Sequence, residues 1–294
     1  MGDSPGKALL VDYSSLLYRA FHSLPASVPV QGVHGFLSML ARLVGDRQPS
    51  ALAVAVDDDW RPEFRVAALP SYKTHRVAGP DDEPDPVAPQ EGVGREVLSA
   101  LGIAVVGAEG FEAEDVIATL AAHARQPVEI ASGDRDLFAL VRNPDVKVLY
   151  PLRGVSTLLE VDEAEIVRRY GIPGRTYGDF ALLRGDPSDG LPGVPGIGEK
   201  TAAALIARYG SLDGLLAATD LSPATARKLD AGRDYLAAAR RVVLPVATVP
   251  LARVSLALPA RPAHPRTLDR LIVEHTLAGP VGRLRAALGQ LQTG

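Results

Sequence analysis

The chain has 294 residues, with 31 Lys and Arg against 35 Asp and Glu, and therefore a formal charge of −4. Its hydrophobic content of 47 % is typical of a soluble globular protein that can bury one large core or two smaller ones. It contains no cysteine, which excludes disulfide bonds, thiolate metal sites and a cysteine nucleophile. The apolar runs are too short to span a membrane and the N-terminus lacks a secretory signal, so we expect a cytoplasmic protein with no membrane partner.

Short apolar runs alternate with helical patterns over about the first 150 residues. Five of these runs are predicted to be buried strands, at residues 8–11, 51–56, 103–106, 128–130 and 146–149. The segments between them have apolar residues spaced about 3.6 positions apart, which is the period of a helix. This alternation predicts an α/β fold in which a parallel sheet is flanked by helices. Residues 79–90 contain four prolines and are predicted to form a mobile connection without helix or strand.

The second half of the chain has a different pattern. Beyond Val161 the predicted strands mostly cease, and short helical segments follow, separated by Pro and Gly. The predicted helices are 163–170, 177–183, 199–209, 233–242 and 267–277. We therefore predict an α/β domain over residues 1–175 and an α-helical region over residues 176–294.

Acidic residues follow the predicted strands of the first domain. Asp12 ends the first strand, Asp57 ends the second, and Asp134 and Asp136 follow the fourth. Because the carboxyl ends of parallel strands lie along one edge of a sheet, these side chains are predicted to converge there. The alternative for any one of them is an ordinary helix N-cap or a surface acid.

Two further acidic groups bring the number of candidate acids to nine. One group opens a predicted helix and the other lies at a predicted turn: Glu112, Glu114 and Asp115, and Asp186 and Asp189. Two carboxylates about 5 Å apart at an effective dielectric constant near 20 repel each other by roughly 3 kcal/mol, so such a cluster needs cations to stay ionised. Oxygen ligands without Cys or clustered His favour Mg²⁺ or Mn²⁺ over Zn²⁺.

Basic and aromatic residues alternate just before the proline-rich connection. Without the nine candidate acids the formal charge of the chain would change from −4 to +5, so the remaining sequence is basic. The basic and aromatic residues of this segment are Arg61, Phe64, Arg65, Tyr72, Lys73, His75 and Arg76. Such a segment suits a nucleic-acid strand through phosphate contacts and base stacking, and the alternative is a solvated loop.

A glycine-rich turn, residues 193–201, precedes an alanine-rich helix. It is not a nucleotide-binding P-loop, because Glu199 stands between Gly198 and Lys200 and no strand leads into it. Gly196 and Gly198 allow a partner to approach the backbone closely, and the free amides of the following helix suit a phosphate. Helix–hairpin–helix modules hold a DNA backbone in this way without reading bases, and the alternative is a purely structural pair of helix caps.

Taken together, these motifs resemble the 5′ nuclease (flap endonuclease) family, and most closely the 5′–3′ exonuclease domain of bacterial DNA polymerase I. The resemblance extends from Leu10 to about Tyr209. It rests on six ordered segments, namely 11–22, 64–76, 112–117, 132–137, 185–189 and 193–202. Glu114 stands where polymerase-type members have Asp, and Gly190 replaces the usual Asn.

The resemblance implies a PIN-like sheet, a helical arch at about residues 61–95, and a helix-3-turn-helix module that binds duplex DNA. It also implies two or more divalent cations, Mg²⁺ or Mn²⁺, and a monovalent cation at the helix-3-turn-helix. The residues implied near the first divalent cation are Asp12, Asp57, Glu112, Glu114 and Asp115. Those implied near the second are Asp134, Asp136, Asp186 and Asp189.

The resemblance further implies which residues handle the substrate. Lys73, Arg76 and Arg19 would act in catalysis, the first two by steering the scissile phosphate. The residues expected to contact DNA are Arg65, Tyr72, Lys73, Arg76, Gly193, Gly196, Gly198, Lys200 and Thr201.

The expected function is that of a stand-alone, monomeric and nucleoid-associated enzyme. It would remove nucleotides from 5′ ends and cut 5′ flaps in DNA or RNA–DNA hybrids during replication and repair. One alternative is a protein that binds branched DNA without cutting it, and another is a PIN-type ribonuclease.

Overall fold

A six-stranded sheet forms the centre of the protein in the computed structural model, which describes residues 6–79 and 83–290. Its strands are β1 (Ala8–Asp12), β2 (Ala51–Ala55), β3 (Ala104–Val106), β4 (Val128–Ala131), β5 (Val146–Arg153) and β6 (Thr157–Val161). They lie in the order β3-β2-β1-β4-β5-β6. The five predicted strands, β1 to β5, are present and parallel to one another.

Strand β6 was not predicted, and it makes the sheet mixed rather than parallel. It pairs antiparallel with β5, with Tyr150 opposite Leu159. Only Val161 in β6 is fully buried, because the strand lies at the edge of the sheet. The half-exposed strand β6 lacks the continuous apolar run that identified the other five strands.

The helices alternate with the strands in the first half and fill most of the second half. The helices are α1 (Tyr13–Ser23), α2 (Gln31–Arg47), α3 (Glu63–Ala68), α4 (Ala88–Leu101), α5 (Ala113–His123), α6 (Glu163–Tyr170), α7 (Tyr177–Arg184), α8 (Glu199–Tyr209), α9 (Leu212–Ala217), α10 (Pro223–Ala231), α11 (Arg233–Val243), α12 (Pro265–Glu274) and α13 (Ala278–Gln290). The predicted helices at 163–170, 177–183, 199–209 and 233–242 are confirmed within one residue at each end. The helix predicted at 267–277 begins and ends earlier, as α12.

The two faces of the sheet bury two separate clusters of apolar side chains. Because side chains alternate along a strand, Leu9 and Val11 of β1 lie on one face and Leu10 lies on the other. The Leu9 face packs against α1, α2, α4, α12 and α13. The Leu10 face packs against α5 and against the helices from α7 to α11.

The chain returns to the sheet after α11, which the sequence did not reveal. The backbone N–H of Leu52 donates to the carbonyl oxygen of Leu256 at 2.8 Å, and α13 then packs along α2. Secondary structure changes near residue 175, where the domain boundary was predicted, but both apolar clusters contain residues from each side of it.

The segment predicted as an arch, residues 61–95, is helical only in parts. It contains α3, a 3-10 turn at Thr74–Arg76 and the first half of α4. Residues 77–79 and 83–87 form neither helix nor strand, as predicted for the proline-rich connection. The end of that connection was placed too late, because Pro89 fits the first turn of a helix and α4 begins at Ala88. Residues 80–82 lie outside the described residues.

Across the described residues, no helix is both long enough and apolar enough to cross a membrane.

Replacement of Leu284 tests whether the last helix stabilises the sheet. Leu284 of α13 is completely buried in the cluster on the Leu9 face. We expect Leu284→Ala to lower the free energy of unfolding by about 2–5 kcal/mol, because the lost side chain leaves a cavity. Val273→Ala, at a site 81 % exposed on α12, is the control and should change it little. Urea unfolding measures the free energy of unfolding of both variants. An equal loss in Leu284→Ala and Val273→Ala would contradict the packing of α13 described here.

Candidate active site

The ends of β1 and β4 are joined through the side chain of Asp12. Asp12 caps α1 by accepting a hydrogen bond from the backbone N–H of Ser15 at 3.2 Å. Its second oxygen accepts a hydrogen bond from the hydroxyl of Ser132, which follows β4, at 2.5 Å. The predicted meeting of strand ends at one edge of the sheet is therefore present at this pair of strands.

The loop after β4 is organised by short-range hydrogen bonds. The backbone N–H of Asp134 donates to Ser132 Oγ at 2.9 Å, and that of Asp136 donates to Asp134 Oδ1 at 2.8 Å. Arg19 lies against this loop, because a Cβ added to Gly133 would be 2.9 Å from the Nη2 atom of Arg19. The buried Nε of Arg19 has no hydrogen-bond partner within the described residues. Arg19 thus places a cation beside the acidic loop.

Arg65 forms a buried ion-pair cluster behind the acidic edge. Its side chain is completely buried, and its guanidinium contacts Glu112 at 2.6 Å, Glu114 at 2.7 Å and Asp115 at 2.8 Å. Its Nε also donates to the carbonyl oxygen of Val242 in α11 at 3.0 Å. Arg65 therefore joins α3, the start of α5 and α11.

This cluster includes three of the predicted site residues, and it contradicts the predicted DNA contacts of two of them, Arg65 and Tyr72. Arg65 was predicted to contact DNA, but a completely buried guanidinium cannot reach it. Tyr72 was predicted likewise, but it is 2 % exposed and its hydroxyl donates to Glu112 at 2.6 Å. Asp115 was predicted to lie near the first cation, and its oxygens accept hydrogen bonds from Arg65 and from the backbone N–H of Val246 at 2.7 Å. These three residues support the site from within the protein.

Lys73 and Arg76 each lie beside one of the acidic groups. Lys73 Nζ donates to Glu112 and, at 3.3 Å, to the carbonyl oxygen of Trp60. Lys73 adopts a left-handed φ of +49°, which is uncommon for a lysine, and its backbone N–H donates to the carbonyl oxygen of Asp189 at 2.9 Å. Arg76 forms an ion pair with Asp189. The base of the arch therefore brings two cations to the acidic edge.

Burial opposes ionisation in the acidic group nearest β1. Burial, with the nearby charge of Asp57, raises the pKa of Asp12 from its ordinary 3.8 to about 7. Burial also raises the pKa of Glu114 well above its usual range, although Arg65 opposes this change. The negative charge of this group is therefore costly at neutral pH unless a cation compensates it.

The second acidic group shows the same effect. Burial raises the pKa of Asp134, and the charges of Asp189 and Asp186 raise it further. Burial and the charge of Asp134 raise the pKa of Asp136 well above its usual range. The charges of Asp186 and Asp189 thus act on both acids of the loop after β4.

Divalent cations fit this set of residues by their chemistry. The acids offer only oxygen ligands, which hard cations such as Mg²⁺ and Mn²⁺ prefer. Among residues 6–79 and 83–290, however, no three His, Asp or Glu side chains are already arranged as a metal shell. Arg65 and Lys73 donate hydrogen bonds to Glu112, and Arg76 donates one to Asp189. The positive charges of these three side chains therefore compensate part of the negative charge at the edge of the sheet.

The glycine-rich turn lies between α7 and α8, as predicted, and its glycines differ in their roles. Gly193 has a φ of +69°, and a Cβ there would lie 2.4 Å from the carbonyl oxygen of Arg184. Gly196 has a φ of +77°, which also disfavours a side chain. Gly198 has an ordinary φ of −87° and open space where a Cβ would be. Gly193 and Gly196 thus build the turn, whereas Gly198 leaves its surface accessible.

The surface of this turn carries exposed cations and free amides. Gly198, Lys200 and Thr201 are exposed, and no side chain caps the start of α8. Lys228 of α10 was missed by the sequence analysis; its Nζ donates to the carbonyl oxygen of Gly196 at 2.8 Å. A contact between residues 32 positions apart leaves no local signal in the sequence.

The turn at 186–190 joins the helical half to the base of the arch. The hydroxyl of Ser71 donates to the carbonyl oxygen of Gly190 at 2.8 Å. Gly190 has a φ of +73°, and a Cβ there would lie 2.1 Å from the carbonyl oxygen of Ser71. This close approach explains the glycine at the position where the family usually has Asn.

Two known protein families together match residues 7–264 of the chain. Residues 7–171 match the family described as 5′–3′ exonuclease, N-terminal resolvase-like domain, and residues 172–264 match the 5′–3′ exonuclease, C-terminal SAM fold. The chain belongs to the 5′–3′ exonuclease family. The family predicted from the sequence motifs is confirmed, and with it a nuclease activity.

Individual relatives of this exonuclease agree with that assignment. It is 48 % identical over 299 residues to a 5′–3′ exonuclease of Streptomyces coelicolor, covering 95 % of this chain and 99 % of that one. It is 46 % identical to DNA polymerase I of Mycobacterium tuberculosis, over 71 % of this chain and 24 % of the polymerase. Its fold matches the solved bacteriophage T5 D15 flap endonuclease with a TM-score of 0.67, at 17 % identity and 98 % coverage of both chains.

The raised pKa of Asp12 predicts that divalent cations stabilise the fold more at high pH. The folded state binds more protons than the unfolded state between about pH 4 and pH 7, so stability falls as pH rises through this range. A bound cation stabilises the ionised carboxylate and so offsets the cost of burying its charge beside Asp57. At about 100 times its Kd, one cation adds about 2.7 kcal/mol, which raises Tm by roughly 5 °C or more.

Thermal unfolding with and without Mn²⁺, at pH 5 and pH 8, measures this effect. We expect the larger rise in Tm at pH 8, and a smaller rise for Asp134→Asn. Asp46→Asn, at a surface ion pair on α2, is the control and should respond like the unchanged protein. An equal rise at both pH values, or none, would show that the acids at the sheet edge do not bind cations.

Proposed function

We propose that this nuclease is a structure-specific 5′–3′ exonuclease and 5′-flap endonuclease. It hydrolyses phosphodiester bonds in DNA and RNA–DNA hybrids, and it acts as a monomer at the nucleoid in replication and repair. The observation that carries this proposal is the meeting of two acidic groups with Lys73, Arg76 and Arg19 at one edge of the sheet. The T5 D15 flap endonuclease has been crystallised with DNA and metal ions, and the catalytic core of Rad2 with DNA substrate.

Two divalent cations would be held at the acidic edge. The residues that would hold one are Asp12, Asp57 and Glu114, with Glu112 beside them. Those that would hold the other are Asp134, Asp136, Asp186 and Asp189. The chemistry that such cations supply when bound is activation of the attacking water and stabilisation of the leaving oxygen.

The basic residues of the site would orient the scissile phosphate. An ammonium has three donors, and Lys73 uses two of them on Glu112 and Trp60, which leaves one for a phosphate oxygen. Arg76 is 43 % exposed at its side chain and uses only Nη2 for its contacts with the described residues. Arg19, beside Gly133, adds a third cation next to the acidic loop. Charge that develops on the phosphate would be stabilised by groups already in place.

The turn at residues 193–201 would hold the duplex away from the cleavage site. Its exposed amides at the start of α8, together with Lys200 and Lys228, suit consecutive phosphates of a DNA backbone. The backbone carbonyl oxygens of this turn would hold a monovalent cation, which would add positive charge facing the phosphates. Because these contacts involve only the backbone of DNA, they would be independent of base sequence.

Cleavage of three substrates tests the proposed function. A 5′-flap DNA, a duplex with a recessed 5′ end and a single-stranded RNA are incubated with Mg²⁺ or Mn²⁺, and the products are mapped. We expect cutting of the flap near its junction and release of nucleotides from the recessed 5′ end. Cleavage of RNA alone would indicate a PIN-type ribonuclease, and binding without cleavage would indicate a branched-DNA-binding protein.

Asp134→Asn separates catalysis from binding. The side-chain amide of the introduced asparagine keeps an oxygen that can accept the hydrogen bond from the backbone N–H of Asp136. The conformation of the loop is therefore preserved. We expect cleavage to be abolished and DNA affinity to stay equal or increase, because one negative charge near the phosphates is removed. Gel-shift and single-turnover assays, with Asp46→Asn as the control, measure both. Loss of affinity in a folded variant would contradict the catalytic assignment.

Gly198→Ala tests the contact between the turn and the duplex. The added methyl group meets open space in the protein, so only an approaching DNA backbone would collide with it. We expect about tenfold or greater loss of duplex affinity, the effect of losing one charge-assisted hydrogen bond, with little change for a short single strand.

Gly45→Ala is the matched control, because a Cβ there also meets open space but lies on α2. Fluorescence anisotropy measures affinity for both substrates. Equal losses on duplex and single strand would mean that the turn is only structural.

A further inference from the structure

Trp60 is an exposed aromatic residue at the entrance to the acidic edge. It is the only tryptophan in the sequence, and its side chain is 43 % exposed. It lies three residues after Asp57, between the end of β2 and the start of α3. An exposed indole offers a large, flat apolar surface on which a ligand can stack.

The backbone on both sides of Trp60 is fixed. The N–H of Asp59 donates to the carbonyl oxygen of Phe111 at 3.3 Å, and the N–H of Arg61 donates to the side chain of Asp59 at 3.0 Å. The carbonyl oxygen of Trp60 accepts the hydrogen bond from Lys73. The indole is therefore presented from a rigid segment and not from a mobile loop.

Arg61 attaches this segment to the base of the arch. Its guanidinium donates to the carbonyl oxygens of Tyr72 at 2.7 Å and Pro70 at 3.2 Å, and to the hydroxyl of Thr74 at 3.1 Å. Trp60 thus keeps a constant position relative to Lys73, the residue that would contact the scissile phosphate.

The other aromatic side chains of this region are turned inward. Phe64 packs against Phe111 with ring centroids 5.8 Å apart, and Tyr72 is buried against Arg65 and Glu112. Of the Phe, Tyr and Trp side chains at 60–76, Trp60 has the largest exposed fraction. Trp60 is therefore the large aromatic ring best placed to stack on a base at this point of the site.

We propose that the indole of Trp60 stacks on a nucleobase of the cleaved strand, next to the phosphate that Lys73 contacts. This inference rests on the proposed function, and it assigns a substrate-positioning role to a residue outside the predicted DNA-contact set. Stacking is insensitive to base identity, because every base offers an aromatic face. Trp60 would therefore fix where the strand lies without selecting a sequence.

Cleavage of intact and abasic substrates tests the stacking. We expect Trp60→Leu to lower kcat/KM on a 5′-flap DNA by about 5- to 150-fold, the loss that one base–aromatic stack produces, and Trp60→Phe to lose much less. Abasic sites are then placed one at a time along the strand. At the position of the stacked base, the unchanged enzyme should lose activity, and Trp60→Leu should cause little further loss.

Tryptophan fluorescence gives a second readout that does not depend on cleavage. Because Trp60 is the only tryptophan, quenching on addition of DNA to Asp134→Asn protein reports on this residue alone. We expect strong quenching with the intact strand, and clearly weaker quenching with the abasic strand identified by the kinetics. Leu152→Ala, at a half-exposed site on β5, is the control for loss of an exposed apolar side chain and should change neither readout.

Two results would overturn the role of Trp60. One is equal activity of Trp60→Leu and the unchanged enzyme, and the other is quenching that is the same for intact strands and for every abasic strand. A failure of the unchanged enzyme to cut the intact flap would instead overturn the proposed function. The fluorescence measurement would still decide whether Trp60 meets a base.

Discussion

The buried guanidinium of Arg65 is the interaction on which the geometry of the site depends. One cation contacts three carboxylates, Glu112, Glu114 and Asp115, and also the carbonyl oxygen of Val242. Removing one partner of a buried ion pair typically costs 3–5 kcal/mol, because the remaining charges are left uncompensated. Through this contact the base of the arch, the start of α5 and the helical half are held in one arrangement. The acids that face the substrate then keep their positions despite their mutual repulsion.

The distribution of charge explains how an acidic protein can act on a polyanion. The negative charge is concentrated at one edge of the sheet, where burial and neighbouring acids raise the pKa of Asp12 and Asp134. Lys73 and Arg76 already offset part of this charge from the base of the arch. Divalent cations at the same edge would neutralise the rest and attract the phosphate, while the exposed turn before α8 would hold the duplex elsewhere.

Local sequence patterns predicted most of the fold and the position of the acidic site. Asp12 and Asp134 could be placed because strand ends in a parallel sheet share an edge, so their meeting follows from topology. Arg65 could not be distinguished from a surface arginine, because its burial depends on acids about 50 residues further along the chain. Strand β6 was missed because half-exposed edge strands lack a strong apolar pattern. The packing of α13 on α2 and the contact of Lys228 with the turn were missed because each joins segments that are distant in the sequence.

Anomalous X-ray diffraction from crystals grown with Mn²⁺ tests most directly whether the acidic edge of the sheet holds cations. We expect one anomalous peak bounded by Asp12, Asp57 and Glu114, and a second bounded by Asp134, Asp136 and the 186–189 turn. Peaks found only at exposed surface carboxylates such as Asp46, with none at the sheet edge, would contradict the metal-dependent site described above.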